Sequence, residues 1–371
     1  MRILRWRWRE RAYRREREGF FHALRHLSRR EFLRVMGEVG AWAAAQGAWW
    51  HTFQLVDIVV GKRRPRFRLA YITDTHLFRP QMNERFLRAA LRAVEDLNRL
   101  DPPPDFVVMG GDLAHGGERA ELELGREILK QVKAPVKMVV GEHDWYLDLG
   151  EAWQQMFGSP NYSFDHRGVH FVVLMSVRMR DFWTERRMTP HERMRAVGQL
   201  DHPETSRFEV GEHGRQWLAE DLAKVPREQP VVVLTHAPLY KYYRRWNFWI
   251  EDAEQVQALL APYRAVTVLH GHTHQVVTHR IGTIHFHGML ATAWPWPYAP
   301  EGLPPLTVQM DRVDPFDELD GVGIGALDLY ADGYGDKQYF FFRREPLRIA
   351  RAYLQSWGRE AIPPAPEFPW Y

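Results

Sequence analysis

RFRLAYITDTH, residues 66–76, is an apolar run that ends in a polar triplet carrying Asp74 and His76. A short apolar run bounded by turn residues reads as a buried strand. The polar residues then lie just past its C-terminal end. The same arrangement recurs along the chain. DFVVM (105–109) leads into GGD with Asp112, and PVKMVV (135–140) leads into GEHD with Glu142, His143 and Asp144. PVVVLT (230–235) leads to His236, and AVTVLH (265–270) leads into GHTH with His272 and His274. VHFVVLM (169–175) is a further strand candidate. Helices are expected over Asn83–Leu100, Glu118–Lys130, Glu212–Lys224 and Asp252–Ala261. The first of these sets Phe86, Leu87, Ala90, Leu91, Val94 and Leu97 at helical spacing. Strands alternating with amphipathic helices define an α/β class. In such sheets, sites form beyond the carboxyl ends of the strands.

Composition narrows the chemistry. The chain has 371 residues, 45% hydrophobic and 26% charged, enough for one large domain with extensions or for two domains. A net charge of +3 implies no global field for nucleic acid, and no specific nucleic-acid binding is expected. The absence of cysteine excludes disulfides, thiolate nucleophiles and zinc–thiolate sites. Mixed carboxylates and imidazoles suit Mn, Fe or Zn better than Ca or Mg. The groups are too many for one ion. Two ions about 3.5–4 Å apart, sharing one carboxylate, would use them all, activate a hydroxide and neutralise phosphate charge.

The order DTH, GGD, GEHD, His, GHTH resembles that of the calcineurin-like metallophosphoesterases over residues 67–287. The resemblance implies a sandwich of two mixed β-sheets flanked by helices. It implies a metal-dependent phosphoric ester hydrolase that cleaves a phosphodiester or phosphomonoester with two divalent transition metal ions. By the same match Asp74, His76 and His274 hold one metal and Asp112 bridges. His236, His272 and the residue at 142 hold the second. His143 faces the leaving-group oxygen as general acid or phosphate contact, and Asp144 supports from behind. The departure is at 142, where the family usually carries asparagine and this chain carries Glu142.

Other features fall outside that pattern. SRREFLR, Ser28–Arg34, resembles a twin-arginine export motif with its pair at Arg29 and Arg30, followed by an apolar stretch over Gly40–Trp50. This implies export by the twin-arginine machinery to the periplasm or the outer face of the cytoplasmic membrane, with the N-terminus as a cleaved signal or an uncleaved anchor. The expected organisation is an arginine-rich segment over 1–60, the phosphoesterase domain over 67–290, and a Pro/Gly/aromatic extension over 291–371 that wraps the domain. Arg178–Phe208 and Tyr240–Asp252 read as insertions. In the second, Tyr240, Arg244 and Arg245 are candidates to contact phosphate at the rim. His115 is a candidate substrate contact, set against a solvated loop histidine. His285 and His287 are expected to pack within a strand and His170 to be structural. Trp294, Trp296 and Tyr298 would wall a pocket, dock a partner or pack in the core. The competing reading is an accessory subunit of an extracytoplasmic membrane complex with little catalysis.

Overall fold

The computed structural model describes residues 65–79, 84–202, 207–310, 314 and 316–355. The Arg29–Arg30 pair and the whole 1–60 segment lie outside them. Phe67–Ile72 (β1) pairs in parallel with Phe106–Met109 (β2), and β2 pairs in parallel with Val136–Met138 (β3). The second sheet contains Tyr162–His166 (β4), Val169–Val173 (β5), Val231–Thr235 (β6), Val266–His270 (β7), Thr278–Ile281 (β8) and Ile284–Gly288 (β9). Its order is β4-β5-β6-β7-β9-β8. Its β5, β6, β7 and β9 are parallel neighbours, with β4 and β8 antiparallel at the edges.

Side chains alternate across a strand, so each strand serves two cores. Phe67, Leu69 and Tyr71 share one cluster with Val108, Phe171, Val173, Val232 and Leu234, which fills the space between the sheets. Ala70 and Ile72 belong to the other cluster, with Ala90, Ala93, Val94 and Leu97 of the helix Glu84–Asn98 (α1). Both faces are buried, which is why these strands read as continuous apolar runs. The expected helices appear as α1, Arg119–Leu129 (α2), Gly211–Leu222 and Ala253–Leu260. The result is two mixed β-sheets flanked by helices.

The extension differs from its expected role as a wrap. Gly323–Leu329 (β10) pairs antiparallel with β1, and Gly335–Phe341 (β11) and Leu347–Ile349 (β12) continue outward. These strands make up half of the first sheet, in the order β12-β11-β10-β1-β2-β3. Glycines mask the strand in GIGALDL. At Gly325 a Cβ would lie 2.2 Å from the Tyr71 ring, so the packing of Tyr71 requires a residue without a side chain. Arg68 and Asp328, opposite each other in the β1–β10 register, form a buried two-pronged ion pair at 2.6 and 2.9 Å. Removing one partner strands a buried charge, so Asp328→Ala is expected to cost about 3–5 kcal/mol in chemical unfolding. A loss below about 1 kcal/mol would show that the pair does not hold the extension to β1.

Candidate metal centre

Five of the parallel strands end beside the same point. Beyond β1, the loop delivers Asp74 and His76; beyond β2, Asp112; beyond β3, Glu142 at the start of the short helix Glu142–Trp145. Beyond β6 comes His236, and beyond β7 come His272 and His274. All seven side chains are buried. Asp74, His76, Asp112, His272 and His274 all have positive φ, between 42° and 64°. Such backbone is costly for residues with a side chain and collects at functional sites.

The side chains form two clusters, Asp74–His76–His274 and Asp112–Glu142–His236–His272. In each, one ligand atom per residue lies within 4.8 Å of the others. In the first, His274 Nε2 is 3.1 Å from Asp74 Oδ1 and 3.2 Å from His76 Nε2. In the second, His236 Nε2 is 3.2 Å from both Asp112 Oδ2 and Glu142 Oε2, and His272 Nδ1 is 2.8 Å from Glu142 Oε1. Asp112 Oδ2 also lies 3.6 Å from His76 Nε2, so it stands between the clusters.

Electrostatics favour a cation here. Burial opposes ionisation of Glu142, yet His272 and His236 hold its carboxyl well below the usual range. Burial likewise opposes charge on His236, but Asp112, Glu142 and Asp74 raise it well above an ordinary imidazole. Burial and the surrounding histidines keep His76 neutral, the form that ligates metal. Glu142 Oε2 and His236 Nε2 are buried without a well-oriented hydrogen bond, although 3.2 Å apart. Buried polar atoms in that state call for a further partner, and a shared ion would supply one. The nitrogen and oxygen donors, with no thiolate, suit Mn, Fe or Zn.

Backbone and neighbouring groups fix the ligands. His236 Nδ1 donates to the Gly110 carbonyl at 2.8 Å, and His274 Nδ1 to the Trp294 carbonyl at 2.7 Å. Thr73 Oγ1 donates to Asp74 Oδ2 at 2.6 Å. Gly141 closes on Asp112: a Cβ there would lie 2.0 Å from Asp112 Oδ1. Asp144 accepts from the Ala114 and Gly141 amides at 2.9 and 3.1 Å, tying the loop after β2 to the loop after β3. Burial and Asp112 push its carboxyl up to about 8.

His143 lies against the first cluster, its ring 4.7 Å from that of His76. Its amide donates to Asp112 Oδ1 at 3.0 Å, and Nδ1 donates to the His115 carbonyl at 2.6 Å, which leaves Nε2 for another partner. Burial lowers its pKa, but Asp112 and Glu142 outweigh this and raise it.

His115 is not a solvated loop histidine. Its ring stacks on Phe78 at 4.1 Å, and its Nδ1 is 3.4 Å from His76 Nδ1. Burial lowers its pKa to about 4, so it is neutral at pH 7 and can accept from His76. That contact sets which His76 nitrogen is free to ligate. His115→Ala is expected to weaken metal retention about 10- to 100-fold, with partial recovery in His115→Gln, which restores an acceptor. Metal titration followed by calorimetry reads this; an unchanged affinity would remove His115 from the site.

The two insertions build the second cluster's wall. Phe208 and Ile250 form a parallel bridge, and the Asn247 amide donates to the Leu200 carbonyl at 2.8 Å. His272 is flanked by Phe208 and Phe248, with ring centroids at 5.3 and 5.4 Å. Its Nε2 lies 2.9 Å from Asn247 Oδ1. Asn247 is therefore a site residue that sequence reading missed, since one asparagine in an aromatic run carries no signal. Arg244 and Arg245 are both exposed, Arg244 over the Trp249 ring and Arg245 beside Glu301. Tyr240 is buried against His270. His285 and His287 pack in β9, and His170 bonds Asp221 at 2.9 Å. Trp294 covers the first cluster, with centroids 4.3 Å from His76 and 4.9 Å from His274.

The family model for calcineurin-like phosphoesterase matches residues 67–276. A probable glycerophosphodiester phosphodiesterase of Arcobacter nitrofigilis is 25% identical over 52% of this chain and 64% of its own. A probable cyclic nucleotide phosphodiesterase of Synechococcus sp. is 26% identical over 66% of this chain and 88% of its own. The chain thus spans just under two thirds of the Arcobacter protein's length. Among solved structures, a dimetal phosphatase from Danio rerio superposes with TM-score 0.51 at 16% identity, covering 77% of this chain and 99% of its own. At that identity the likeness concerns the fold.

Proposed function

Since the chain belongs to the calcineurin-like phosphoesterase family, we propose that it is a binuclear metal-dependent hydrolase of a phosphodiester or phosphomonoester. The observation that carries this reading is the pair of clusters with Asp112 between them. Two divalent ions held there would lower the pKa of water and neutralise phosphate charge. Asp74, His76 and His274 would hold one, and Glu142, His236 and His272 the other, with Asp112 shared. The chain's own groups supply the rest. His143, with its Nε2 uncommitted and its pKa raised by Asp112 and Glu142, holds a proton that it can donate to the leaving-group oxygen. Divalent ions push that pKa back down, so the amount of protonated His143 depends on the loaded state. Trp294 and Phe208 exclude water from the two sides.

The test is elemental analysis and assay of gently purified protein after Mn or Fe supplementation. The reading expects two ions per chain and hydrolysis within a panel of phosphodiesters and monoesters. Fewer than one ion per chain, or no hydrolysis by loaded protein, would refute it. The intact ligand set favours this enzyme over an accessory subunit.

The export reading rests on SRREFLR and the apolar stretch Gly40–Trp50 that follows it. Residues 1–60 are expected to carry a folded reporter out of the cytoplasm, and lysine at both Arg29 and Arg30 to retain it. Unchanged export of the double variant would make the pair incidental.

A further inference from the structure

A cavity of about 330 Å³ lies beside the first cluster, lined by residues that include His274, Leu290, Trp296, Tyr298, Met310 and Phe341. His274 belongs to both the cavity wall and the ligand cluster. Trp294 covers the cluster and meets Trp296 edge-on, with centroids 6.2 Å apart, so an aromatic surface runs from one to the other. Among the described residues no lysine, arginine, aspartate or glutamate lines the cavity.

The His274, Gln275 and Tyr298 side chains in the wall are already engaged. His274 Nδ1 donates to the Trp294 carbonyl. Gln275 accepts from the Tyr242 hydroxyl at 2.9 Å and donates to the Pro297 carbonyl. The Tyr298 hydroxyl donates to the Val276 carbonyl at 3.0 Å and accepts from the Met310 amide at 2.9 Å. A hydroxyl-rich group entering here would give up water for few new hydrogen bonds. A hydrocarbon group would only gain. The volume is about twice that of an apolar cavity that holds one benzene.

We infer that this cavity receives the uncharged hydrocarbon part of a phosphoester substrate, an alkyl or aryl group of about ten carbons, while the phosphate sits over the two clusters. The inference rests on the phosphoesterase reading above. It excludes glycerol and other polyol groups from this side of the phosphate. Trp296 is then the specificity residue, and Met310 and Phe341 form the wall.

The experiment compares methyl, glyceryl, decyl and 2-naphthyl esters of p-nitrophenyl phosphate with the Mn-loaded full chain. kcat/KM is expected to rise at least about tenfold from methyl to decyl or naphthyl, and not from methyl to glyceryl. The decyl and naphthyl arms tell a chain from a ring system. Trp296→Ala and Met310→Glu should each shrink the decyl-to-methyl ratio, and two variants guard against one failing to fold. Hydrolysis of the methyl ester with a flat series overturns the cavity assignment and leaves the phosphoesterase reading standing. If none of these diesters is cleaved and loaded protein also fails on phosphomonoesters, that reading fails; in either case calorimetry decides the cavity: decylphosphonate should bind loaded protein at least tenfold tighter than methylphosphonate. Equal binding overturns it.

Discussion

Asp112→Ala is expected to lose both ions and at least about a thousandfold in hydrolytic rate, because one carboxylate serves both clusters. Asp112 Oδ2 is 3.2 Å from His236 Nε2 and 3.6 Å from His76 Nε2. Its Oδ1 meanwhile accepts the His143 amide at 3.0 Å. Alanine deletes the shared ligand and releases the backbone that positions His143. The fold should survive. Asp74, Asp112 and Glu142 are buried together, so removing one of these charges relieves repulsion in the metal-free protein. Metal content and an unfolding midpoint measured on the same preparation separate the two effects. A variant that retains both ions would contradict the shared role, and one that loses its ions only by unfolding would show that Asp112 is structural.

Much of this centre is legible in the sequence because a parallel sheet places chemistry at one kind of position. Five apolar runs, each followed within a few residues by Asp, Glu or His, converge once the strands are parallel neighbours. Tight turns leave local marks, as at Gly141, where the backbone closes on Asp112. Other parts leave none. The left-handed backbone at Asp74, His76, Asp112, His272 and His274 cannot be read from residue type, since Asp and His adopt it more often than most residues but still in a minority of cases. Asn247 reaches His272 only because two distant insertions pair through Phe208 and Ile250. The β10 strand was hidden by its glycines, and the reason for Gly325, the Tyr71 ring, lies more than two hundred residues away. One feature was readable and passed over. TPHE at Thr189–Glu192 is a capping box with proline at the first helical turn, and it opens the helix Pro190–Val197 inside the first insertion. Arg193 of that helix donates to the Tyr146 and Leu147 carbonyls, fixing the chain just after His143.

Glu142→Asn is expected to weaken retention of the second ion about 10- to 100-fold, while turnover at saturating metal rises severalfold. The glutamate is placed as a ligand would be, with Oε1 2.8 Å from His272 and Oε2 3.2 Å from His236. Asparagine is shorter by one methylene, about 1.5 Å. It also presents a neutral amide oxygen in place of a charged one. Two divalent ions bring a charge of about +4, which Asp74 and Asp112 reduce to about +2 and Glu142 to about +1. With Glu142 the centre holds cations firmly, yet it polarises an anionic phosphate less and ionises water at a higher pH. Asparagine reverses each of these, so the activity optimum should move to lower pH. Metal content and phosphodiester hydrolysis, measured together across pH, decide the matter. If the variant keeps both ions and loses all hydrolysis, Glu142 acts on the substrate, and the charge argument fails. If it keeps its ions and its pH optimum, the carboxylate does not reach the metal, and its place between His236 and His272 serves only to orient them.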